Sequence, residues 1–81
     1  MLMKIYWVGN RKNIIGEKVR VLRLAKGMTQ STLAAQLQLA GLECSPLTVL
    51  RIENGTRFVP DYEVKALSEV FGVPYSTLFD E

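Results

Sequence analysis

Four helix-stop signals constrain what this chain can become: Gly27, Gly41, Asn54-Gly55 and Gly72. Glycine reaches the left-handed backbone conformation that closes a helix, so each stop marks an end. Each is followed within a few residues by a start signal. Thr29 and Ser45 offer side-chain oxygens to first-turn N–H groups, and Asp61 is a residue of the same capping type. Pro46 suits the first helical position, where its missing N–H is not needed, and Pro74 begins a last short helix.

The apolar spacing between these signals is helical. The first helix is expected from Ile14 to Lys26, with Ile15, Val19 and Leu22 on one stripe and Arg23 and Lys26 near its negative end. The second carries Leu33, Ala34 and Leu37, and the fourth Val64, Leu67, Val70 and Phe71. In the third, Val49 and Ile52 face inward with Glu53 beside them, and Cys44 with Val49 has the spacing of a hydrophobic staple. The fifth returns Leu78 and Phe79 to the core. The expected fold is all-α, a compact bundle of five helices joined by short connections.

A chain of 81 residues makes one domain, near the lower limit of what folds without a covalent staple. With 48% hydrophobic and 22% charged residues it is ordinary globular material and not a disordered chain. The single cysteine, Cys44, excludes an internal disulfide and fits a reducing, cytoplasmic setting. No apolar run approaches the ~20 residues that span a bilayer. Met1–Val8 is apolar but interrupted by Lys4, and is too short for a secretory signal. Its β-branched and aromatic residues suit a short strand, which Gly9-Asn10 then breaks. The chain therefore divides into an N-terminal arm, residues 1–13, and a helical domain, residues 14–81. Val21 and Leu24 fall off the first helix's stripe; the arm either folds over them or pairs with a second copy.

Charge and residue types narrow the function. The net charge is +2, but residues 1–26 hold seven cations against Glu17 alone, whereas residues 27–81 hold three cations against seven acids. The basic end either supplies phosphate contacts, as Arg11 and Lys12 can, or is a solvated helix surface. There is no histidine, no Cys/His metal spacing, no phosphate loop and no nucleophile–base set. No metal, cofactor or catalytic activity is expected.

The third helix carries the clearest functional pattern. Its inward face is apolar, while Leu47, Leu50, Arg51 and Asn54 face outward and Thr48 sits on the shoulder. A short helix held on one side and showing Thr, Arg and Asn on the other can enter a major groove. Arginine there binds guanine O6 and N7 through two hydrogen bonds, and threonine offers a hydroxyl or a methyl. Gln30, opening the second helix, is either a neighbour of a phosphate or a simple polar helix start.

The strings IGEKVRVLRLAKGMTQSTLAAQL, SPLTVLRIENG and VKALSEVFGVPYSTLF resemble the Cro/phage-repressor (Xre-type) helix-turn-helix family over residues 14–79. The resemblance implies a repressor-like DNA-binding domain that regulates transcription, with residues 45–53 or so in the major groove. It implies DNA contacts from Gln30, Pro46, Leu47, Thr48 and Arg51, and phosphate contacts from the loop between Asn54 and Arg57. It also implies a structural ion pair between Arg23 and Glu53. Ser45, at the cap of the third helix, is a further candidate DNA contact. The expected partner is double-stranded DNA, bound by a homodimer on half-sites ~34 Å apart.

Two departures stand out. The turn at residues 39–44 is longer than the family's usual turn, and Pro46, Leu47 and Leu50 are apolar where polar residues are more common. Those apolar residues suit either thymine methyls or a partner protein, so the alternative function is a helical protein-interaction module, antitoxin-like in its use of the repressor fold. Cys44 reads as a small apolar staple residue and not as a redox sensor.

Overall fold

The computed structural model describes residues 9–80. It contains five α-helices: α1 (Gly16–Ala25), α2 (Gln30–Leu39), α3 (Pro46–Glu53), α4 (Asp61–Phe71) and α5 (Tyr75–Phe79). No strand occurs among the described residues. The fold is all-α. The strand-like arm at Met1–Val8 lies outside the described residues, as does its proposed packing over Val21 and Leu24, which are 58% and 52% exposed.

Local signals set most boundaries. Gly27 has φ +69°, the Gly27 N–H donates to the Leu24 carbonyl, and the Met28 N–H donates to the Arg23 carbonyl at 3.0 Å. This paired closure satisfies carbonyls that the helix end would otherwise leave open. Gly41 after α2 and Gly55 after α3 close their helices in the same way. At the starts, the Thr29 side chain accepts from the Thr32 N–H at 3.0 Å, and Ser45 with Thr48 forms a reciprocal capping box.

Two helix starts and one core residue differ from the sequence expectation. α1 begins at Gly16 and not Ile14, because Asn13 Oδ1 accepts the Gly16 N–H at 2.8 Å and holds the preceding residues as a turn. Asp61 is the first residue of α4, whose N-cap is Pro60; its carboxylate lies in the first turn with Glu63, where the helix dipole favours negative charge. Phe79 is 46% exposed, since α5 is five residues long and turns only Leu78 fully inward.

The core gathers Ile15 and Val19 from α1, Leu33, Ala34 and Leu37 from α2, Val49 and Ile52 from α3, Ala66, Leu67 and Phe71 from α4, and Leu78 from α5. Cys44 joins them from the turn ahead of α3. That longer turn is ordered by its own contacts. The Leu42 N–H donates to the Leu37 carbonyl, Leu42 packs on the core, and the Gln38 amide donates to the Cys44 carbonyl. α2 and α3 pack directly against each other, so the extra residues loop out without separating the two helices.

Candidate nucleic-acid interface

α3 is fixed by its ends and by one buried face. At its N-terminus the Thr48 N–H donates to Ser45 Oγ, and the Ser45 N–H donates to Thr48 Oγ1, both at 3.2 Å. Pro46 follows at the first helical position. Val49, Ile52 and Glu53 are buried. The opposite face is open: Leu47 and Leu50 are 48% and 41% exposed, Pro46, Arg51 and Asn54 are exposed, and Thr48 is half-buried.

Glu53 ties three helices together. Arg23 of α1 donates to it through Nε at 2.6 Å and Nη2 at 3.2 Å, while Arg23 Nη1 donates to the Met28 carbonyl at 2.8 Å. Both residues are buried, so their desolvation is offset only because the fork, the carboxylate and the carbonyl are mutually satisfied. Gln30, opening α2, donates from Nε2 to the same carboxylate at 3.2 Å. The start of α2 is thereby registered against the end of α3.

The C-terminal end of α3 is clamped by the segment ahead of α1. Arg11 Nη2 donates to the Glu53 carbonyl at 2.7 Å, and Asn13 Nδ2 donates to the carbonyls of Ile52 at 3.1 Å and Arg57 at 2.8 Å. The Lys12 N–H donates to the Gly55 carbonyl at 2.7 Å, and the Lys12 ammonium sits 5.5 Å from the centre of the Phe58 ring. A guanidinium at this position also complements the negative end of the helix dipole. The approach is close: a Cβ on Gly16 would lie 2.1 Å from the Ile52 carbonyl oxygen.

Beyond α3, Asn54 Oδ1 accepts from the Thr56 N–H at 3.1 Å and the Thr56 hydroxyl at 2.7 Å, forming a side-chain-closed turn. Arg57 then places its fork on Glu63 of α4. Nη2 donates to Oε2 at 2.8 Å, Nη1 donates to Oε1, and Nη1 also reaches the Phe58 carbonyl. The hydrogen bond to Glu63 raises the Arg57 pKa above the already high arginine value.

A family model described as a helix-turn-helix domain matches residues 14–78. The chain belongs to the helix-turn-helix domain family. No curated protein and no solved structure matches it. The family match supports DNA as the partner of this domain, and no helix among the described residues is long and apolar enough to cross a membrane.

Within the helix-turn-helix unit, the expected contact residues fall into two groups. Pro46, Leu47 and Arg51 lie together on the open side of α3. Gln30, Ser45, Thr48, Asn54 and Arg57 already bond within the protein: Gln30 to Glu53, Ser45 and Thr48 to each other, Asn54 to Thr56, and Arg57 to Glu63. Arg11 donates to the Glu53 carbonyl, and the Lys12 ammonium lies over the Phe58 ring.

Sequence reasoning missed three structural residues here. Arg11 and Asn13 brace α3 across more than 35 residues of chain, and Glu63 holds Arg57. Asn13, three residues before the first N–H of α1, carried a legible capping signal; the other two contacts had none. Cys44 is buried, and that burial, followed by the Glu63 charge, pushes its thiol pKa up against the opposing pull of Arg57. Such a thiol is poorly nucleophilic. Among the described residues no group of three or more His, Cys, Asp or Glu side chains can hold a metal ion.

Proposed function

We propose that this protein is a sequence-specific double-stranded DNA-binding transcriptional regulator of the Cro/phage-repressor (Xre) type, acting as a repressor and reading the major groove with residues 45–53. The observation that carries this is Arg51: an exposed guanidinium on the open face of a helix whose other face is locked into the core by Val49, Ile52 and Glu53. A fixed helix presents its arginine in a set direction, and bidentate bonding to guanine O6 and N7 needs such orientation.

Around it, Gln30 and the N–H groups opening α2 face a phosphate, and Ser45, Pro46, Leu47 and Thr48 approach base edges or the backbone. Asn54 and Arg57 border the phosphates beyond α3. A two-fold homodimer in the cytoplasm, with no cofactor, presents two such helices to half-sites ~34 Å apart.

Leu47 and Leu50 favour one second function, a helical protein-interaction module or antitoxin-like partner that keeps the fold and docks another protein through α3. Titration of a fluorescent mixed-sequence duplex at several salt concentrations separates the two. A DNA binder shows affinity that falls steeply and linearly in log–log form with salt. No binding at the lowest salt overturns the DNA reading and favours the protein partner.

A further inference from the structure

We propose that Leu47 and Leu50 form a methyl-reading surface on α3 that selects thymine over unmethylated pyrimidine; this rests on the groove reading above. The two leucines are spaced i, i+3 and are 48% and 41% exposed on the face that also carries Arg51 and Asn54. Residues four apart on a helix are neighbours, so Leu47 stands one turn ahead of Arg51 and Leu50 one turn ahead of Asn54. Each polar side chain is therefore accompanied by a branched apolar one on its N-terminal side.

The remaining polar group of this helix start is engaged elsewhere. The Thr48 hydroxyl accepts the Ser45 N–H and lies 3.2 Å from Ser45 Oγ, which makes it a cap component. Between Ser45 and Arg51 the open face thus consists of Pro46, Leu47 and Leu50. In the major groove of unmodified DNA the apolar feature on a base edge is the thymine C5 methyl. A leucine pressed against a methyl removes apolar surface from water. Pressed against an acceptor or amino group, it strips water and returns no hydrogen bond. The same two side chains therefore attract thymine and disfavour bases that present only polar atoms.

The test uses duplexes enriched by the wild-type protein from a random library, resynthesised with deoxyuridine in place of thymidine. That exchange deletes the C5 methyl and leaves every hydrogen-bonding group. Wild-type affinity is expected to fall roughly four-fold for each methyl contacted, from the burial of one carbon. In the Leu47→Ala/Leu50→Ala variant, with folding checked by thermal melting, thymine and uracil duplexes bind alike. Arg51→Ala weakens both duplexes and keeps their ratio. Equal wild-type binding to thymine and uracil duplexes overturns methyl reading while leaving DNA recognition in place. Discrimination that survives in the double-leucine variant overturns it too. Failure to enrich any duplex overturns the groove reading, and this inference with it.

Discussion

The Arg57 guanidinium spans both oxygens of the Glu63 carboxylate, and the two ends of that pair are unequally exposed, 31% for the arginine side chain and 6% for the glutamate. The asymmetry dictates which partner can be lost. Arg57→Ala strands a buried carboxylate, a cost approaching the ~3–5 kcal/mol of a broken buried pair and reduced by the water at the arginine end. Glu63→Gln leaves a hydrated arginine with an amide oxygen to bond, and costs about 1 kcal/mol. Urea unfolding at constant m-value reads the difference. Arg57→Ala is expected to have the lower midpoint, and the reverse order contradicts the assignment.

Arg23 and Glu53 set a second stability prediction. Arg23→Ala leaves Glu53 with only the Gln30 amide as a side-chain partner in a buried site. The expected loss is ~3–5 kcal/mol out of the ~5–15 available to a domain of this size. In calorimetry this lowers Tm by more than about 12 °C, given ~4–8 °C per kcal/mol. Replacing both residues together, as Arg23→Met with Glu53→Leu, recovers most of the loss, because two apolar side chains leave no charge behind.

Gly16 is required by proximity. Its missing Cβ lets the start of α1 meet the end of α3, where the nearest atom would be the Ile52 carbonyl oxygen at 2.1 Å. Backbone cannot step aside as a flexible side chain does, so Gly16→Ala is expected to cost ~1–3 kcal/mol despite its higher helix propensity. Hydrogen exchange at the amides of residues 52–55 should quicken in the variant. Unchanged exchange there counts against the clamp.

Cys44 gives a pH signature. Burial raises its thiol pKa in the folded state above the ordinary value of 9.0. The folded form therefore prefers the protonated thiol, and this preference leaves stability untouched below the unfolded pKa. Stability falls as pH rises from there through the folded pKa. Native protein at pH 8 should resist alkylation by iodoacetamide, whereas urea-unfolded protein reacts. Cys44→Ala should flatten the alkaline decline in melting temperature. Rapid native alkylation contradicts the buried position.

The elements legible in the sequence are those set by neighbours in the chain. Gly27, Gly41 and Gly55 end helices because a left-handed residue is needed one position past the last turn, and Thr29 and Ser45 start them through contacts three residues away. The periods of Val19, Leu33, Val49 and Leu67 placed the core for the same reason. Asp61 lies one residue inside the helix start that its capping type suggests, because the extended Pro60 holds the cap position. Arg57 with Glu63, and Arg11 with the Glu53 carbonyl, are tertiary partnerships. An arginine bound to a carboxylate and one awaiting a phosphate have the same letter, and only the packing of α4 and the pre-helical segment against α3 separates them. The outward direction of Arg51 and Leu47 was readable, because it follows from the inward direction of Val49 and Ile52 on one short helix.

The most direct test of groove reading by α3 is selection of bound duplexes from a random library at moderate salt, with wild type and Arg51→Ala run side by side. Wild type is expected to yield a palindromic motif, and the variant the same motif with information lost at one guanine in each half-site. No motif from wild type, or an unaltered motif from the variant, contradicts groove reading by α3.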